Sequence, residues 1–112
     1  MSLYMWKFGY KPEVWAGLIR SPENREQSVG RVLEEAGCKL RGLWYAFGEG
    51  DGFALFEAPD NKSAAGLAIS IAASGAFRTF ETTPLMDQAE TLEALQFAAG
   101  VQYAPPTEAV HA

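Results

Sequence analysis

One cysteine and one histidine are all that this 112-residue chain offers to thiol or soft-metal chemistry. A lone Cys38 excludes an intrachain disulfide. With no histidine near it in sequence, it reads as a small buried apolar side chain and not as a nucleophile. His111 stands one residue from the end of the sequence, a poor place from which to anchor a buried haem. Serine and cysteine triads lack their general base for the same reason. Neither a metal nor a cofactor is expected.

Basic residues are scarce as well, nine against fourteen acids, for a net charge of −5. They do not cluster, which argues against the phosphate-neutralising patches of nucleic-acid-binding proteins and against an anionic membrane surface. No apolar run approaches the roughly 18 residues of a spanning helix. The N-terminus also lacks a basic region followed by an apolar core. The expectation is a cytoplasmic protein with no nucleic-acid or membrane partner. Asn61-Lys62-Ser63 has the glycosylation pattern, but without an export signal it reads as chance.

What is abundant is apolar and aromatic surface: 48% and 12% of residues, with three Trp and seven Phe. Leu3 to Tyr10 read as an aromatic strand. Pro12-Glu13 opens a short helical turn. Ser21-Pro22 then predicts a new helix, with serine as cap and proline in the first turn. Val29, Val32, Leu33 and Ala36 follow at helical spacing, and Gly37 stops the run. A second strand spans 39–47, the glycines of 48–52 predict a tight turn using positive φ, and a third strand runs from Phe53 to Ala58. Asp60 is placed to cap an Ala/Gly/Ser-rich helix ending at Gly75. A fourth strand covers 76–85. Asp87 and Glu90 open a last helix that turns Leu92, Leu95 and Ala99 inward. Residues 1–100 thus form one domain, and 101–112 a C-terminal tail.

The order β-α-β-β-α-β plus one helix is the split, ferredoxin-like α+β plan, with the helices on one sheet face. Yet the strands are apolar on both faces. Tyr4, Trp6 and Phe8 oppose Leu3 and Met5; Phe53 and Leu55 oppose Ala54 and Phe56; Leu43, Tyr45 and Phe47 oppose Leu40 and Trp44. Helices bury only one face, and the other exceeds what a monomer commonly exposes. A homodimer with its sheets face to face, or a larger homo-oligomer, is expected.

Tyr45-Ala46-Phe47-Gly48, Asp51, Glu57-Ala58-Pro59-Asp60, Ala73-Ser74-Gly75-Ala76, Arg78-Thr79 and Thr82-Thr83-Pro84-Leu85 stand in an order that resembles the GYD domain family. Pro12-Glu13 with Trp15, and Pro22-Glu23 with Arg25, fit the same pattern, so the similarity runs from residue 3 to about residue 106. Gly50 stands where the namesake triplet has tyrosine, so no tyrosine-based role carries over to it. The resemblance implies a ferredoxin-like domain of the dimeric α/β-barrel type. It implies no particular reaction.

Gly48-Glu49-Gly50-Asp51-Gly52 leads into a strand and carries two acids, which excludes a phosphate loop. The candidate ligand-binding residues are Trp6, Trp44, Tyr45, Asp51, Glu57 and Arg78, polar groups on strands beside large aromatics. Structural ion pairs, for instance Glu57 with Arg78, compete with that reading. Two functions follow. One is an oligomeric module that binds a small molecule or organises an assembly. The alternative is a cofactor-independent, monooxygenase-like enzyme acting on a small aromatic or enolisable substrate. The enzyme needs an apolar cavity between sheet and helices; a space filled by side chains would exclude it.

Overall fold

The computed structural model describes residues 1–107; residues 108–112, His111 among them, lie outside the described residues. The elements run β1 (Ser2–Tyr10), α1 (Pro12–Arg20), α2 (Arg25–Glu35), β2 (Lys39–Tyr45), β3 (Gly52–Ala58), α3 (Asn61–Ala72), β4 (Phe77–Leu85) and α4 (Gln88–Ala99). The strands form one antiparallel sheet in the order β2-β3-β1-β4. This is the ferredoxin-like α+β arrangement expected from the order of elements.

Local chemistry explains most of the boundaries. Asp60 and Asp87 accept hydrogen bonds from the backbone N–H of Ser63 and Glu90, both at 2.8 Å, and so start α3 and α4. Gly37 and Gly75 take φ of 76° and 82° just beyond α2 and α3, a region costly for other residues. Ser21-Pro22 acts differently from its expected role. Proline disfavours helical geometry in the residue before it, and Ser21 sits at φ −141°, ψ 82°, closing α1. The cap of α2 is instead Asn24, which accepts from the Gln27 N–H at 3.2 Å.

Alternation assigns the two sheet faces. On β1, Tyr4, Trp6, Phe8 and Tyr10 are buried; on β3, Ala54, Phe56 and Ala58 are. All of these except Phe8 and Tyr10 join Leu33 of α2 and Ala64 and Leu67 of α3 in the core. Trp6 and Phe56 are the tightest aromatic pair, with centroids 4.1 Å apart. On β2 the expected alternation fails at a bulge between Leu40 and Gly42. The extra residue puts Leu40 on the same face as Leu43 and Tyr45, leaving Gly42 and Trp44 on the other. Phe47 lies beyond the strand and is fully exposed.

The β2–β3 connection is also not the tight turn expected. It spans residues 46–51, closed by Ala46 N–H donating to Asp51 C=O at 2.8 Å, and none of its glycines has positive φ. Close approach explains Gly50 and Gly52, the first residue of β3, whereas Gly48 faces open space. A Cβ at Gly52 would collide with the Phe8 ring, and one at Gly50 would lie 3.0 Å from Cε of Lys7. Gly52→Ala is therefore expected to cost about 1–3 kcal/mol of stability by overpacking, measured as a lower urea midpoint.

The largest departure is α4. It buries no residue, leaves Leu92 and Leu95 56% and 63% exposed, and makes no more than grazing contact with other described elements. The chain accordingly extends 58 × 34 × 22 Å with a radius of gyration of 18.4 Å, against about 13 Å for a compact domain of this length. Leu92, Leu95 and Ala99 do not turn into this chain's own core. No helix among the described residues is long and apolar enough to cross a bilayer.

Candidate functional site in the space between sheet and helices

The sequence pits aromatic strands against slender helices. The helix-facing side of β1 carries four large rings, while α3 is mostly Ala, Gly and Ser with Leu67 and Ile71 turned to the core, and α1 buries nothing completely. The two surfaces cannot close on one another. A cavity of about 840 Å³ remains between them, floored by Trp6, Phe8 and Ala54 and walled by Val29, Ile71 and Phe80. Folded interiors rarely leave voids larger than a water molecule, whereas small-molecule sites commonly span about 300–1,000 Å³. The rim is polar, with Ser21 and Glu23 before α2 and Ser70 and Ser74 at the end of α3.

At one end of the cavity sits Tyr10, 6% exposed. Its ring stacks on Phe77 and meets Trp15 edge-on, and its hydroxyl lies 3.2 Å from that of Tyr45. Burial, and then the Tyr45 hydroxyl, push the Tyr10 phenol well above its ordinary pKa; the nearby Arg25 guanidinium only partly offsets them. Tyr10 therefore stays protonated and able to donate across the physiological range. Arg25 lines the same cavity and makes a loose pair with Glu23 at 3.6 Å.

Of the six residues singled out from sequence, Trp6 forms part of the cavity floor and Tyr45 backs its Tyr10 end. Trp6 Nε1 is sealed from water and has no acceptor among the described residues. Trp44 and Glu57 belong to the opposite sheet face, where the Trp44 ring lies over Gly42 and Glu57 pairs with Arg41 at 3.2 Å. Arg78 pairs not with Glu57 but with Asp51, at 3.2 Å. Asp51 is a structural hub. Its Oδ2 accepts from Tyr10 N–H at 2.9 Å and from Trp15 Nε1 at 3.2 Å, while Oδ1 takes Arg78. Burial alone would raise its pKa, but Trp15, Tyr10 and Arg78 together outweigh burial and hold the carboxyl below its usual range.

The six thus do not converge. Tyr10, Arg25 and Phe80 went unremarked as site residues in the sequence. The available signal was the mismatch between four rings on one side of a strand and a small-residue helix opposite them.

The model of the GYD domain matches residues 4–95, most of the chain. The chain belongs to the GYD domain family. Comparison with curated proteins finds no match. Within the GYD domain, this chain's glycine at position 50 is matched by Lys7, whose aliphatic stem takes the space that a side chain there would need. Lys7 then reaches Glu49 at 3.4 Å.

Proposed function

We propose that this GYD domain is a homo-oligomeric small-molecule-binding module whose ligand occupies the space between sheet and helices. The observation that carries this reading is the cavity itself: about 840 Å³, mostly apolar, and partly open to solvent. The neutral fluorophore N-phenyl-1-naphthylamine is expected to bind with roughly micromolar Kd, a modest affinity for a ligand of its size. Val32, on the cavity wall and 49% exposed, offers a position for filling the space without touching the core. Val32→Trp is expected to weaken the probe at least tenfold. No binding by the native protein, or equal binding by Val32→Trp, overturns the reading.

Two features support self-association. The sheet face away from the helices carries Leu3, Met5, Phe53 and Leu55, with Met5 directly opposite Leu55 at its centre. By strand rise and spacing this face covers roughly 450 Å², and one side of α4 adds roughly 200 Å². Side-chain relief brings the two toward the ~800 Å² per partner of a stable interface. We assign both surfaces to a second copy of the chain.

The unfilled cavity also favours, as a second reading, a cofactor-independent enzyme acting on a small aromatic or enolisable substrate. Its support is thinner, because among the described residues Glu23 is the only carboxylate on the cavity lining and it faces solvent. Turnover of an enolisable aromatic by the purified protein, abolished by Val32→Trp, is the test.

A further inference from the structure

The cavity is apolar over most of its lining but not at the end where α2 begins. Arg25, the first residue of α2, brings a guanidinium to that end, and Tyr10 of β1 lines the same cavity. Both side chains line the same space, and they are close enough for the guanidinium to act on the phenol. An arginine fork and a phenol are oxyanion donors, and bonds from charged donors are roughly twice as strong as neutral ones. The floor beside them is a continuous aromatic surface: Phe77 stands 5.4 Å from Tyr10, 5.7 Å from Phe8 and 5.1 Å from Phe80, with Trp6 5.4 Å from Phe80. Such a surface suits a flat ring stacked or set edge-on.

We infer that the ligand is a planar aromatic bearing an oxyanion, its ring on Phe8, Phe77 and Phe80 and its charged oxygen between Arg25 and the Tyr10 hydroxyl. This rests on the cavity being the binding site. Tyr45 completes the arrangement from behind. Either hydroxyl can donate across the 3.2 Å between them, so an anion that takes the Tyr10 proton turns Tyr45 into the donor behind it, and each bond in such a chain strengthens the next. Glu23 is the one opposing group. It sits 3.6 Å from Arg25, and its side chain is 53% exposed, so it can swing into water when an anion takes its place. It therefore acts as a counter-ion that a ligand must displace. A neutral ligand leaves the pair in place and gains no bond to Arg25, so the preference for an anion equals the Arg25 bond less the cost of displacing Glu23.

The test compares 8-anilinonaphthalene-1-sulfonate with N-phenyl-1-naphthylamine, which share a ring system and differ in the anionic group. In the native protein the sulfonate is expected to bind more tightly and to be displaced by the neutral probe. Arg25→Gln is expected to weaken the sulfonate about tenfold, the scale of one partly exposed charge-assisted bond, and to leave the neutral probe within about twofold. Glu23→Gln is expected to do the reverse, tightening the sulfonate alone. Glu23 is exposed and Arg25 half-buried outside the core cluster, so neither variant threatens the fold. Equal loss of both probes in Arg25→Gln, or no change in either variant, overturns the oxyanion assignment while leaving the cavity reading intact. Failure of both probes to bind the native protein overturns the two together.

Discussion

Leu55→Glu is expected to convert a two-chain assembly into single chains at micromolar concentration, seen directly by native mass measurement or light scattering. Leu55 lies at the middle of the uncovered sheet face, with Met5 on one side and Gly42 on the other. A carboxylate there would be taken out of water on association, with no cation of its own row to pair with. Stranding a charge in an interface costs several kcal/mol, which multiplies Kd by a thousandfold or more. Leu55→Ala removes only apolar contact and is expected to weaken association without abolishing it. Folding should survive both changes, because the helix-facing core is untouched. A native protein that runs as one chain, or a Leu55→Glu variant that remains two, defeats the assembly reading.

Asp51→Ala is expected to be the most destabilising substitution outside the aromatic core. It removes three hydrogen bonds at once and leaves the N–H of the nearly buried Tyr10 without an acceptor. An unmet buried donor plus the lost bonds amounts to about 3 kcal/mol, a fall in Tm of about 10 °C or more for a domain of this size. Asp51→Asn keeps an oxygen for Tyr10 or Trp15 and is expected to cost about half as much. The acid limb of stability changes too. Because the folded carboxyl titrates below its unfolded value of about 3.9, its contribution is complete above that pH and fades as pH falls through the folded value. Asp60, held down by the Ser63 N–H, acts in the same direction. The difference in urea midpoint between native protein and Asp51→Asn should therefore shrink on going from pH 6 to pH 3. A constant difference would mean that Asp51 is not ionised and bonded as described.

Features set by one residue and its immediate neighbours were legible in the sequence. Asp60 and Asp87 start helices, Gly37 and Gly75 stop them, and β1 and β3 alternate as their patterns say. What needed the structure was anything decided by a distant partner. The bulge at Leu40–Gly42 shows only in how β2 pairs with β3, not in the β2 sequence. Gly50 and Gly52 answer to Lys7 and Phe8, more than forty positions away in the chain. The α4 pattern of apolar residues is real, but periodicity cannot say whose core a helix joins. The candidate site was half visible for the same reason. Trp6 and Tyr45 stood out by type, whereas Arg25 and Tyr10 matter only because α2 begins beside the end of β1.

The strand order has a consequence for how the chain is born. β1 is made first but lies in the interior of the sheet, paired with residues 52–58 and 77–85. At about 5–20 residues per second of synthesis, Tyr4, Trp6, Phe8 and Tyr10 wait roughly 2–10 s for their first partner strand and longer for the second. During that interval the most aromatic segment of the protein is an unpaired strand with both edges bare, the form most prone to pair wrongly. Non-local pairing of this kind also slows folding once the chain is complete. Until residue 85 has emerged, the nascent chain lacks the full complement of partners for its central strand.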